Sequence, residues 1–337
     1  MRLNESNQTG VSVVTCCHNS SSRLPETLKH LASQSLTTSL AWEVIVVNNA
    51  SSDETSRVAA HLWSEYGSPA PMRVVDEPTP GLSHARERGI ASARYDTLVF
   101  VDDDNWLNGN YLSVAYDIMQ AHPDIGALGG HITAAFEVEP PTWFGEMQSW
   151  YAVGPQGRES GDITEYKPHV AGAGMVLRKT AYEELKRRRF AFILADRTQL
   201  QLTSGGDTEL CAALVLAGYR VWYDEGLRMR HFIPRARLTK AYLRRMIEDS
   251  AAAGNVMALY KLALAGRSGG IFSYVAGEVT SRGWWSLKTA TKVLLGRCSL
   301  FALEMEVTQL FRRLTALPKL SSLHQQHLET VQRLAKP

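Results

Sequence analysis

Two rhythms of apolar positions alternate along the first hundred residues: short β-branched runs, and longer stretches whose apolar side chains recur every three or four positions. Val11–Thr15 (VSVVT) predicts a strand, and Leu24, Leu28 and Leu31 mark a helix over 25–35. Glu43–Val47 (EVIVV) predicts a second strand, closed by Asn48-Asn49-Ala50-Ser51-Ser52-Asp53, whose side chains favour turns and helix caps. A helix follows to residue 66. Met72–Asp76 reads as a third strand, a Pro/Gly loop leads to a helix over 83–93, and a fourth strand, Thr97–Val101, runs into Asp102-Asp103-Asp104. Strands alternating with helices imply right-handed crossovers and a mainly parallel, Rossmann-like α/β sheet with flanking helices. Ligands of such sheets bind beyond the carboxyl ends of the strands. The segments Cys16–Asn19, Asn48–Asp53 and Asp102–Asn105 are therefore expected to face one crevice.

The rhythm loosens from Ile125 to Val176, where Pro140, Pro141, Trp143, Trp150, Tyr151, Gly172 and Gly174 suggest extended pieces and a substrate-facing loop. Helices are predicted over 180–189 and 207–216, the second ending at Gly218, where glycine suits a left-handed cap. After Pro234 helix is predicted over 239–261 and again over 287–313, which sets a boundary near residue 238. The expected organisation is a catalytic domain over 1–238 and a helical region over 239–337.

With 45% hydrophobic and 21% charged residues in 337, the chain can bury a large core, which excludes disorder. Four cysteines, Cys16, Cys17, Cys211 and Cys298, form no CxxC pair and no zinc pattern, as expected in a reducing compartment. The polar amino terminus lacks the apolar stretch of a secretory signal, and no segment approaches ~18 uninterrupted apolar residues. The expected location is the cytoplasm, including the inner face of the cytoplasmic membrane. Charge divides unevenly: residues 228–337 carry 18 Lys and Arg against 6 Asp and Glu, and the preceding residues 18 against 28. The basic region reads first as a helical appendage packed on the rest of the chain or on a second subunit, as in a homodimer, and alternatively as a surface for an anionic bilayer.

Three adjacent carboxylates at a strand end repel one another unless a cation sits among them, and oxygen-only ligands on a short loop suit Mg²⁺ or Mn²⁺. The competing reading is a solvated acidic turn. Asp207, where a glycine-rich turn becomes a helix, suits a general base or equally an N-cap. Arg86 could orient carboxylates or a diphosphate by bidentate hydrogen bonds, or sit on a helix surface. His231 is a ligand candidate for Mn²⁺ or a structural histidine, and core or loop packing is the default for Trp106, Trp143, Trp150 and Trp222.

In their order, VSVVTCCHN, EVIVVNNASSDET, GLSHARERGIASA, LVFVDDDNW, GGDTELCAALVLAGYRVWYDE and RHFIP resemble glycosyltransferase family 2, whose members have the GT-A fold. The resemblance spans about residues 11–240. It implies that Asp102 and Asp104 form a DXD motif, with Asp104 as metal ligand and Asp102 and Asp103 near the metal or the ribose. It implies that Asn49 and Asp53 lie on the loop that recognises the base, that Cys17, His18 and Asn19 lie on the loop that packs against it, and that Arg86 contacts the donor. Asp207 is then the base that deprotonates the acceptor, and His231 completes the metal or diphosphate site. Three positions depart from the pattern: His18 for a common tyrosine, Glu87 for asparagine and Gly206 for an acidic residue.

The resulting expectation is metal-dependent, inverting, non-processive transfer of a sugar from a nucleotide-diphosphate sugar, UDP-sugar favoured, to a glycan or lipid-linked acceptor of the cell envelope. The alternatives are a nucleotidyltransferase, which would normally carry a glycine-rich phosphate loop that TCCHNSSSR lacks, and a non-catalytic nucleotide-sugar-binding protein. No Walker motif, GxGxxG after the first strand, HExxH, GxSxG or QxxRW is present, and no motif points to nucleic acid.

Overall fold

A computed structural model describes residues 8–36, 40–194, 205–264, 271–315, 329–331, 333 and 334. The elements run β1 (Gln8–Cys17), α1 (Leu24–Ala32), β2 (Trp42–Asn49), α2 (Thr55–Glu65), β3 (Met72–Glu77), α3 (Leu82–Ser92) and β4 (Tyr95–Phe100). They continue through β5 (Asn105–Leu107), α4 (Tyr111–Ala121), β6 (Ile125–Phe136), α5 (Phe144–Met147), β7 (Gly161–Asp162), β8 (Val176–Arg178), α6 (Lys179–Arg187), α7 (Gly206–Leu216) and β9 (Arg220–Ile233). Three helices follow: α8 (Lys240–Leu264), α9 (Ile271–Leu294) and α10 (Leu300–Thr315).

One sheet has the strand order β3-β2-β1-β4-β8-β6-β9-β5, with β7 paired to β9. Its first four strands are parallel, in a register that sets Val13 between Val44 and Val99 and Cys17 beside Asn48. Val13, Val14, Ile45, Val46, Leu98 and Val99 are fully buried, as expected of β-branched strands covered on both faces. On this side α3 packs closely, because a side chain at Gly89 would lie 2.2 Å from Cγ1 of Val14. Beyond β4 the sheet is mixed: β8 pairs antiparallel with β4 and β6, and β5 pairs antiparallel with β9. The short β5 was invisible to apolar patterning because it is three residues of edge pairing after a polar turn. Its register sets Asn105 opposite His231.

Two compact units emerge. The first holds Met1–Ala135, Val153–Glu184 and Tyr219–Phe232, and the second Phe136–Ala152, Leu185–Gly218 and Ile233–Pro337. The expected cut at 238 follows chain order, and these units do not. Residues well before 238 join the carboxy-terminal helices: Trp143 meets Phe301 edge-on at 5.4 Å, and Leu194 and Ala212 share a cluster with Ala253, Val256 and Tyr260. The single helix expected over 287–313 is instead two helices, α9 and α10, divided at Gly296 with φ +67, a conformation that glycine adopts without strain. Gly218, φ +96, does follow α7 as predicted. Among the described residues no helix is long and apolar enough to cross a membrane.

Candidate active site

The ends of β1, β2 and β4 are laced together in the first unit. His18 Nδ1 lies 2.7 Å from the Asn49 carbonyl, which can only accept, so this nitrogen carries the proton and Nε2 faces the Asn19 amide at 3.2 Å. Asn19 has φ +49, a left-handed conformation that asparagine tolerates, and its Oδ1 accepts from the Ser52 amide at 2.8 Å. Asp53 accepts from the Ser21 amide at 3.0 Å and from the Thr55 amide at 3.1 Å and hydroxyl at 2.5 Å. Desolvation works against its charge, and the hydrogen bonds from Thr55 and Ser21 together outweigh it and hold the carboxyl down at about 2.

Asn49 is buried, with both ends of its amide engaged: Nδ2 donates to the carbonyls of Glu77 and Thr79 at 3.1 and 2.6 Å, and Oδ1 accepts from the Gly81 amide at 2.8 Å. Its side chain ties β2 to the loop before α3. Asp53 likewise spans two loops, so its carboxylate braces the turn. Asp103 is the third such case. Its Oδ2 accepts from Arg23 Nη2 at 2.6 Å and Nε at 3.1 Å and from the Ser20 hydroxyl, while its carbonyl accepts from Thr27 at 2.9 Å. The carboxylate is turned into the start of α1, away from the role beside metal or ribose that sequence assigned to it.

Asp102, Asp104, Arg86 and His231 form a second group. Burial pushes the Asp102 carboxyl up to about 6; the Arg86 charge pulls against this, and the Asp104 and Asp103 charges reinforce it. Asp104 Oδ1 lies 3.0 Å from the Asn105 amide and 3.6 Å from His231 Nε2, and the Asp104 carbonyl accepts from the Phe232 amide at 2.8 Å. The β5–β9 pairing is what brings His231 to the acidic turn. Arg86 lies over the Phe100 ring at 5.6 Å, and the absence of a side chain at Gly172 makes room for it, since a Cβ there would be 2.4 Å from Arg86 Nη2. Glu87, the departure beside it, accepts a hydrogen bond from the Tyr182 phenol at 3.0 Å.

Among the described residues no three His, Cys, Asp or Glu side chains are preassembled as a metal site. The donor set at Asp104, Asp102 and His231 nevertheless suits Mn²⁺ or Mg²⁺, which take one or two carboxylates and complete their shells with water and phosphate oxygens. Trp106 stacks on Phe232 at 5.2 Å and Trp222 on His122 at 4.5 Å, the packing expected of these two by default.

In the second unit, Gly205 with φ +133 caps α7, so Asp207 is a residue of the first helical turn and not its N-cap. Its Oδ1 accepts from the Thr208 amide at 2.8 Å. The serine and threonine before Gly205 lie outside the described residues. Two positions further on, Glu209 is fully buried and accepts from the amides of Ile193 and Leu194 and from the Tyr260 hydroxyl, each at 2.9 Å. The motifs read from the sequence give Glu209 no role. The overlooked signal was a carboxylate opening an otherwise apolar helix, LCAALVL, where burial demands partners.

A parallel half-sheet whose strand ends carry a braced turn system, an acidic turn, an arginine and a histidine is the arrangement that the resemblance to the GT-A fold predicts. The family model Glycosyl transferase family 2 matches residues 12–186, and the chain belongs to that family. It is similar to the succinoglycan biosynthesis protein ExoM of Rhizobium meliloti, 24% identical over 264 residues, covering 75% of this chain and 80% of the relative. It also resembles a glucosyl-dolichyl phosphate glucuronosyltransferase of Haloferax volcanii, 24% identical over 179 residues, covering 52% of this chain and 54% of that protein. Two solved structures share the fold. The mannosyltransferase PcManGT of Pyrobaculum calidifontis, in complex with GDP-Man and Mn²⁺, has a TM-score of 0.58 at 16% identity, covering 92% of this chain and 88% of that one. S. aureus TarS 1–349, in complex with UDP-GlcNAc, has a TM-score of 0.54 at 14% identity, covering 97% and 90%.

Proposed function

We propose that this glycosyltransferase moves one sugar, with inversion, from a nucleotide-diphosphate sugar to an acceptor hydroxyl. The observation that carries the reading is the buried Asp102–Asp104 turn beside Arg86 and His231 at the carboxyl ends of parallel strands. The braced loops at His18, Asn19 and Asp53 form the floor for the nucleotide, with Asn49 and Asp103 holding that floor in place. Arg86 orients the diphosphate. Asp104 and Asp102, with His231, would hold Mn²⁺ or Mg²⁺, which when bound neutralises charge on the departing diphosphate. Asp207 accepts the acceptor's proton as its oxygen forms a bond to the anomeric carbon and the bond to the diphosphate oxygen breaks, the electron pair leaving with the nucleotide.

A UDP-sugar is the favoured donor, supported by the UDP-GlcNAc complex of the fold neighbour TarS. A glycan or lipid-linked glycan of the cell envelope is the favoured acceptor, in keeping with the succinoglycan role named for ExoM and the dolichyl phosphate substrate named for the glucuronosyltransferase. The site of action is the cytoplasm or the inner face of its membrane. The testing experiment is nucleotide release from UDP-, GDP- and dTDP-sugars with Mn²⁺, Mg²⁺ or EDTA, alongside nucleotide binding by calorimetry. Metal-dependent release or binding with one base, lost in Asp104→Asn, is the expected result. Binding of every nucleotide unaffected by metal and by Asp104→Asn would overturn the reading.

A further inference from the structure

The carboxy-terminal half of α9 leaves large apolar side chains in water. Trp284 and Trp285 are 59% and 54% exposed, and Leu287 and Leu294 are 63% and 88% exposed. At about 3.6 residues per turn these four, together with Lys288 and Lys292, fall on one half of the helix circumference. A globular protein has no reason to present two adjacent tryptophans to solvent unless they meet something. The helix that follows repeats the pattern. α10 buries Phe301, Ala302 and Met305 and exposes Leu300, Val307, Phe311 and Leu314, which share its opposite face.

Charge decides what covers these faces. Between Thr280 and Leu303 the chain carries Arg282, Lys288, Lys292 and Arg297 and no Asp or Glu. Lys288 Nζ sits 5.6 and 5.2 Å from the rings of Trp284 and Trp285, so cation and aromatics occupy one patch. The next acidic residue, Glu304, is taken up by Arg244 within the unit. A protein partner would have to supply acidic groups interleaved with apolar pockets. An anionic bilayer supplies both at once: headgroup charge for the lysines, and an interfacial layer in which tryptophan is at home while leucine reaches the acyl chains.

We propose that the surface formed by Trp284–Leu300 and the outer face of α10 docks the protein on an anionic lipid bilayer, lying in its interface without spanning it. The surface uses none of the residues assigned to the donor or acceptor chemistry, so it stands or falls separately from the proposed function.

The test is flotation of the full chain with vesicles of phosphatidylcholine mixed with phosphatidylglycerol, and with pure phosphatidylcholine, across a salt series. Binding to the anionic vesicles that weakens as salt rises is expected, with little binding to the neutral ones. Each interfacial cation contributes about fivefold to partition, so Lys288→Gln/Lys292→Gln should lower it about 25-fold. Trp284→Ser/Trp285→Ser should abolish binding with the melting temperature and donor hydrolysis unchanged, because these side chains already face solvent. Three results overturn the proposal: no binding to either vesicle; equal binding to both; or wild-type self-association in sedimentation velocity that the tryptophan variant abolishes, with no vesicle binding, which would assign the surface to a second copy.

Discussion

Replacing Glu209 tests whether the first turn of α7 is held by its second unit's buried polar network. The carboxylate takes three donors at 2.9 Å, two of them main-chain amides of Ile193 and Leu194, and has no exposure to water. Removing one side of a buried charged network costs about 3–5 kcal/mol, and Glu209→Ala should fall there because both amides are left without an acceptor. Glu209→Gln keeps the volume but points an NH₂ at one of the amide donors, so about 2–3 kcal/mol is expected. Tyr260→Phe removes a single donor and leaves the amides satisfied, which predicts about 1 kcal/mol. Burial and the Glu209 charge push the Tyr260 phenol up, so it stays protonated and donating at any working pH. Urea unfolding of the three variants gives the order, and Glu209→Gln/Tyr260→Phe gives the coupling. Under the proposed function the same change acts on Asp207, two residues earlier. It should lower kcat about tenfold or more with donor KM within about twofold, the signature of misplacement and not of lost binding. Stability of Glu209→Gln within about 0.5 kcal/mol of wild type, or a larger loss in Tyr260→Phe than in Glu209→Gln, refutes the reasoning.

Glu43 supplies a pH test in the first unit. It is buried; that burial raises its pKa, but hydrogen bonds from Arg73, the Arg94 amide and Ser12 outweigh it and leave the carboxyl below its ordinary value. Because the folded value is the lower one, the stabilisation is complete above the unfolded pKa of about 4.3 and is lost as pH falls through the folded value. Glu43→Gln should therefore cost about 2–4 kcal/mol near neutrality, towards the lower end because Arg73 is partly solvated, and the gap to wild type should close on acidification in urea titrations. Gly172→Ala would put a methyl 2.4 Å from Arg86 Nη2, and the long side chain can move aside. Melting should change little while donor affinity falls about tenfold, measured by calorimetry. Asp207→Asn should retain donor binding and lose transfer by about 10²–10⁴-fold in a turnover assay with acceptor; equal loss of binding would count against its role as base.

The parallel half of the fold was legible because its physics is local. VSVVT, EVIVV and LVFV are buried on both faces and announce themselves as short runs dominated by valine and other apolar residues. The antiparallel remainder was not, for three separate reasons. β9 alternates exposed charge with buried Val221, Tyr223, Leu227 and Met229, a pattern diluted by its Asp224-Glu225-Gly226 stretch. β5 is set by pairing with a strand more than a hundred residues away, which no local window contains. The division of the chain into units depends on which loop packs against which helix, and Trp143 gave no hint of Phe301.

That polar residues gather at the strand ends was legible, and the partners that hold them were not. The sequence marks polar residues at strand ends, but a carboxylate or amide there can either meet a ligand or satisfy the turn that carries it. Only the partners decide, and those come from other loops: Ser20 and Arg23 for Asp103, Thr79 and Gly81 for Asn49, Ser21 for Asp53. The braces have a functional consequence of their own. A ligand-binding loop with unsatisfied amides must be ordered by its ligand, at a cost taken from affinity, whereas a loop whose amides already have acceptors meets the ligand in its final shape. Under the proposed function, substitutions at Asn49, Asp53 and Asp103 should thus weaken nucleotide binding by loosening the loops that brace the site, with a loss that appears mainly as a less favourable binding entropy. Substitutions at Arg86 or Asp104 should remove enthalpic contacts with the diphosphate or its cation, and calorimetry on the two groups separates the cases.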